Sequence, residues 1–198
     1  MVHKQIQIYK DLGTSERCYI HLKNAFQYLT PLYKIEEINS TIINNQNIQS
    51  NLLCFGGGYD LGYLNSLQLS GCLNIHNYIK ENMGRYLGIC AGAYFACDYC
   101  CFDMNGPLEV SDNGKPAIIG SKLGNGCGIL SGVHFEYDPY LLEKQIYNVD
   151  PKNNGNVDVI NNYAFIETLK TNNSSRLKLF ETLITLLLNP DNESVLMK

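Results

Sequence analysis

The chain of 198 residues contains no apolar run approaching the roughly 20 residues of a membrane-spanning helix, so no helical span is expected. It also lacks any cluster of Lys and Arg. With 15 basic against 19 acidic residues and a net charge of −4, nucleic acid and anionic membrane are poor partners for it. Met1-Val2-His3-Lys4-Gln5 passes directly into an alternating strand pattern without a secretory h-region, so a cytoplasmic protein is expected. The triplet Gly56-Gly57-Gly58 fits neither the dinucleotide fingerprint nor the phosphate-binding P-loop, and no cofactor is expected. Cys97-x-x-Cys100-Cys101 lacks a second Cys or His pair at ligand spacing, so no metal is expected either. The absence of internal repeats and linkers, at this length, points to a single domain over residues 1–198 with one site.

What is present is an alternation of apolar runs and amphipathic stretches, the pattern of a mostly parallel sheet covered by helices on both faces. Strands are expected at 5–9, 33–38, 52–55 and 85–89, in the apolar run that begins at Gly128, and at 157–165. Helices are expected from Ser15 to about Leu29, with Cys18, Leu22, Ala25 and Phe26 on the buried stripe, and at 73–82, 139–147 and 175–188. Residues 98–127, rich in Gly, Pro, Asp and Asn, read as hairpins. The eight cysteines are scattered, several of them in strand or helix patterns, and are read as reduced thiols packed as small hydrophobes.

Three strand ends carry unusual residues. The run Arg85-Tyr86-Leu87-Gly88-Ile89-Cys90-Ala91-Gly92 ends in a cysteine with glycines two positions away on each side, the spacing of a nucleophile elbow. There a strand delivers its nucleophile into a strained turn against closely packed neighbours. Cys90 is the expected nucleophile. The run Gly128 to Val133 ends in His134-Phe135-Glu136, where a spacing of two lets an imidazole face the thiol while the carboxylate fixes its tautomer. His134 is therefore the candidate base and Glu136 its orienter. The backbone N–H groups of Gly56, Gly57 and Ala91 are the expected oxyanion hole. Gly58, Tyr59, Asp60, Tyr94 and Glu109 are candidate substrate-binding residues. In open α/β sheets ligands bind at the carboxyl ends of strands, so these pieces are expected along one edge.

Gly88-Ile89-Cys90-Ala91-Gly92 with His134-Phe135-Glu136 resembles the class I glutamine amidotransferase family. Gly56-Gly57-Gly58-Tyr59-Asp60-Leu61-Gly62-Tyr63, Ala93-Tyr94, Pro107-Leu108-Glu109-Val110 and Leu130-Ser131-Gly132 make the finer pattern similar to the amidotransferase-like N-terminal domain of biotin-protein ligases. The resemblance implies a flavodoxin-like three-layer α/β sandwich. It also implies a Cys90-His134-Glu136 triad acting on a small-molecule carboxamide or related acyl group through a thioester, with water or a partner synthetase receiving the product. Two positions depart from the amidotransferase pattern, Phe135 between the His and Glu and Phe55 before the glycines, and they bear on glutamine as the substrate. No Arg- and Gly-rich adenylate loop is present, so no biotin-adenylating centre is expected. A non-catalytic module that regulates a biotin ligase or another enzyme is the alternative implied. The small flavodoxin-like peptidases and deglycases share the Ile-Cys-Ala-Gly elbow but account less well for His-x-Glu after a late strand.

Overall fold

The computed structural model describes residues 4–97, 117–147 and 158–189. Six strands form one sheet: β1 (Gln5–Tyr9), β2 (Lys34–Ile38), β3 (Leu52–Phe55), β4 (Arg85–Ile89), β5 (Ile118–Leu123) and β6 (Gly126–Ser131). Their spatial order is β2-β1-β3-β4-β6-β5. All pairings are parallel except that of β5 with β6. The helices are α1 (Glu16–Leu29), α2 (Ser40–Asn44), α3 (Asp60–Lys80), α4 (Ala91–Phe95), α5 (Pro139–Tyr147), α6 (Asp158–Thr171) and α7 (Asn173–Leu188).

The side-chain period of two along each strand separates the core into two layers. Ile6 and Ile8, Leu52 and Cys54, and Leu87 and Ile89 meet Leu22 and Phe26 of α1 and Phe180, Ile184 and Leu187 of α7. Tyr9, Leu53, Phe55 and Tyr86 meet Ile43 of α2 and Tyr63 and Leu67 of α3 on the other side. Helices thus cover both faces, giving the three-layer α/β arrangement of flavodoxin-like folds. No helix among the described residues is long and apolar enough to cross a membrane.

Local chemistry places the helix starts. Ser15 accepts a hydrogen bond from the Cys18 N–H at 3.5 Å, and Asn39 accepts from Ile42 at 3.0 Å. Asp138 accepts from the N–H groups of Tyr140 and Leu141 at 2.8 and 2.9 Å. With Pro139 as the first helical residue, whose missing N–H costs nothing there, Asp138-Pro139 fixes where the segment after β6 turns into α5.

Three expectations need correction. The strand expected at 157–165 is a helix from Asp158 onward: Val159 and Ile160 belong to α6, whose Ile166 is fully buried and which packs against α5 and α7; Val157 lies outside the described residues. The helix expected at 73–82 begins at Asp60, with a break at Gln68, where φ is 53°. Gly62 concealed that first turn: a Cβ there would lie 2.5 Å from the Gly13 Cα, so the glycine admits a close backbone approach. The short α2 was not anticipated. In the described part of 98–127, β5 and β6 form the expected hairpin around Gly124 and Asn125.

Candidate active site

β3, β4 and β6 are neighbours running parallel, so their carboxyl ends lie side by side. The loops leaving them are joined by backbone hydrogen bonds. Cys90 N–H donates to Ser131 O at 2.7 Å, and Gly92 N–H donates to Gly56 O at 3.0 Å. A Cβ at Gly92 would lie 2.1 Å from Phe55 O, and one at Gly88 would lie 2.5 Å from Gly92 O. Only glycine permits that packing, as the spacing around Cys90 implies.

Cys90 sits between β4 and α4 with φ 52° and ψ −113°, a left-handed backbone that costs a non-glycine residue about 1–3 kcal/mol. The surroundings enforce it. Its N–H is held by Ser131, and its carbonyl accepts from Ala93 and Tyr94 at 2.9 and 3.0 Å. The Ala91 N–H faces the Cys90 sulfur.

His134 follows β6 by three residues. Ser131 Oγ donates to Val133 O at 2.8 Å and accepts from Val133 N–H at 3.2 Å, which turns the chain there. His134 Nδ1 lies 2.7 Å from Glu136 Oε1. That leaves Nε2 for Cys90, on whose thiol this imidazole is the largest influence. Each partner favours the charged form of the other. The His134 hydrogen bond, opposed by burial, lowers the Cys90 thiol from its ordinary value. The Cys90 and Glu136 hydrogen bonds raise the imidazole to about 10. The pairing therefore shifts both groups toward a thiolate beside an imidazolium.

The two departures at phenylalanine are packing positions. Phe135 is buried and meets Phe180 edge-on at 4.9 Å, which anchors the loop between His134 and Glu136 to α7. Arg176 of α7 adds a second anchor, donating through Nη1 to Phe135 O at 3.0 Å and through Nε to Asn173 Oδ1 at 2.9 Å. Phe55 stacks on Tyr9 at 4.5 Å and on Phe95 at 5.3 Å, a fixed base beneath the glycine loop.

The structure brings to His134 one group that the sequence reading left in the core, Cys18, and others it did not single out. Tyr137 stacks on the imidazole at 4.9 Å, and its hydroxyl lies 3.1 Å from Cys18 Sγ. Among the described residues, one ligand atom each from Cys18, His134 and Glu136 lie within 4.8 Å of one another. His21, fully buried, accepts from Asp138 N–H at Nδ1 (3.0 Å), so Nε2 carries the proton toward Gln145 Oε1 at 3.2 Å. Burial lowers its pKa and keeps it neutral. Cys18 escaped notice because its spacing with Leu22 and Ala25 is that of a core stripe. A cavity of about 410 Å³ lies on the Glu136 side, lined by Asn24, Tyr28, Asp138 and Arg176 among others, with Cys90 and His134 outside its lining.

The other candidates separate. Gly56 and Gly57 are buried beside the site, and a Cβ on Gly57 would lie 2.5 Å from His134 Cε1. Gly58 is exposed and bridges to Thr14. Tyr59 and Asp60 open α3, where Tyr59 is 59% exposed. Tyr94 is half-buried on α4. Glu109, Cys100 and Cys101 lie outside the described residues.

The family model described as biotin-protein ligase, N terminal, matches residues 4–115. An uncharacterized protein of Chlamydia muridarum is 32% identical over 114 residues, 54% of this chain and 44% of that protein. A biotin–protein ligase of Schizosaccharomyces pombe is 28% identical over 102 residues, 50% of this chain and 16% of the ligase. The match therefore spans less than half the length of these curated relatives. No solved structure gives a significant match.

Proposed function

The chain belongs to the biotin-protein ligase N-terminal family, and on that premise we propose that it is a cysteine-dependent amidase or amidotransferase with Cys90, His134 and Glu136 as its triad. The observation that carries the reading is the line of contacts from a thiol held at positive φ, through His134, to Glu136 Oε1 at 2.7 Å. A thiol whose ionisation the neighbouring imidazole favours is a nucleophile paired with a proton donor.

In this reading the Cys90 thiolate attacks the carbonyl carbon of a carboxamide, forming a C–S bond and placing negative charge on the oxygen. N–H groups of Ala91 and the Gly56-Gly57 loop receive that oxyanion. The His134 imidazolium gives its Nε2 proton to the leaving nitrogen, the C–N bond breaks, and ammonia departs. A thioester remains on Cys90. His134, now neutral, takes a proton from water, the resulting hydroxide adds to the thioester carbon, and the C–S bond breaks to release the carboxylic acid and restore thiolate and imidazolium. Glu136 holds the ring in place and favours its charged form throughout. Gly58, Tyr59, Asp60 and Tyr94 line the approach to the substrate. The chain acts as one domain, and ammonia passes to water or to a partner synthetase.

A second reading is a non-catalytic module that binds a biotin ligase, suggested by the 102-residue match to the fission-yeast ligase. Ammonia release from glutamine and simple amides separates the two. The enzyme reading predicts turnover that Cys90→Ser abolishes. An inert wild type that still captures a biotin ligase favours the module, and turnover unchanged by Cys90→Ser refutes the mechanism.

A further inference from the structure

Cys18 takes no part in the proposed chemistry, yet it lies against the centre of it. Its sulfur, an imidazole nitrogen of His134 and a carboxylate oxygen of Glu136 fall within 4.8 Å of one another. Thiolate, imidazole and carboxylate are the donor types of zinc sites. A second observation points to a cation: Glu136 is fully buried, and its Oε2 has no hydrogen-bond partner among the described residues. A buried acceptor without a donor is costly, and a bound ion removes that cost. Gly57 leaves the adjacent space clear, since a Cβ there would lie 2.8 Å from Cys18 Sγ and 3.3 Å from His134 Nε2. The Tyr137 hydroxyl, 3.1 Å from Cys18 Sγ, is placed to donate to a coordinated thiolate, as outer-shell partners do.

We propose that Cys18, His134 and Glu136 bind one divalent zinc-like ion. Tetrahedral bonds of about 2.0–2.3 Å set ligand atoms about 3.3–3.8 Å apart, so closure from 4.8 Å takes a movement of about 1 Å shared among three side chains. On binding, the Cys18 thiol and the His134 imidazolium each release a proton to solvent, three metal–ligand bonds form, and nothing is oxidised or reduced. Because Nδ1 is the ring nitrogen beside Glu136, the ion takes Nδ1 in place of its hydrogen bond to Oε1, which leaves the one remaining ring proton on Nε2 and the imidazole unable to act as a base. Under the proposed amidase reading, and resting on it, the ion is a reversible inhibitor.

The test uses the full chain, freed of metal by a chelator and titrated with Co²⁺ alone, then with Zn²⁺ by calorimetry. The wild type is expected to bind one ion with a thiolate-to-cobalt charge-transfer band. Cys90→Ala keeps the band, whereas Cys18→Ser and Cys18→Ala, with fold verified by circular dichroism, weaken binding by more than about 100-fold, since outer-shell losses alone cost about 10–100-fold. Zn²⁺ stops wild-type amide turnover but not that of Cys18→Ala. No band in the wild type, an unchanged band in both Cys18 variants, or a band lost in Cys90→Ala overturns the site. The cobalt spectrum reads the metal site whether or not the protein hydrolyses amides, so failure of either claim is seen separately.

Discussion

Replacing Gly57 with alanine isolates the contribution of His134 placement. The added Cβ would lie 2.5 Å from His134 Cε1 and 2.8 Å from Cys18 Sγ. Ordinary contact begins near 3.4 Å, so the imidazole must retreat by about 0.9 Å. It cannot retreat freely, because Tyr137 stacks on the ring and Glu136 holds Nδ1. A displacement of about 1 Å at a reacting group costs on the order of 100-fold in rate. On the proposed amidase reading, amide turnover is therefore expected to fall about 100-fold. Alkylation of Cys90 by iodoacetamide near neutral pH should slow as well, because the thiol loses the partner that lowers its pKa. Gly56→Ala is the control for fold, since its Cβ would meet only Leu22 Cδ2 at 3.6 Å and Cys18 Cβ at 3.9 Å. The assay is peptide-mapped alkylation with thermal melts of both variants. Gly57→Ala protein that melts like wild type and alkylates Cys90 at the wild-type rate would refute the reasoning.

Glu136→Gln should retain the fold and lose amide turnover by on the order of 10⁴-fold, the cost of removing such an orienter in a serine protease; steady-state kinetics that show no loss would contradict its role. At position 90, glycine should be more stable than alanine by about 1 kcal/mol, because only glycine adopts φ 52° without strain. Chemical denaturation of the two variants measures this, and equal stability would remove the strain. Two histidines set opposite limbs of a stability–pH curve. His21, lowered by burial, contributes stability above its unfolded value of about 6.5 that is lost on acidification. His134, raised to about 10, contributes stability below about 6.5 that is lost as pH climbs, but the lowered Cys90 gains stability up to its ordinary value of about 8.5, so the net loss falls between about 8.5 and 10. Melting temperatures from pH 5 to 10 should lose their acid limb in His21→Asn and their alkaline limb in Cys90→Ala, and a curve unaltered by either variant counts against both assignments.

The parts of the site that were legible in the sequence are those where backbone geometry restricts residue choice. Gly88 and Gly92 around Cys90 record two backbone approaches closer than any side chain allows, and His-x-Glu after an apolar run records a strand end. The sheet's parallel strands were legible for a related reason, since Leu52 to Phe55 and Arg85 to Ile89 are buried on both faces. Cys18 was not legible as a site residue, because a helix stripe that packs on the sheet looks the same whether or not its first thiol also reaches a loop from another strand. The α6 helix was misread because Val159 and Ile160 favour strands locally, while the packing of α6 on α5 and α7 decides the outcome. The start of α3 was hidden by Gly62, which serves a contact 49 positions away with Gly13.

The central claim is that Cys90 carries the acyl group. Incubating the wild type with glutamine or a simple amide, quenching in acid and mapping peptides by mass spectrometry tests it directly. The account predicts a thioester adduct on the peptide containing Cys90, formed with one equivalent of ammonia and absent in Cys90→Ala. Ammonia release accompanied by an adduct on Cys18, or persisting in Cys90→Ala, would contradict it.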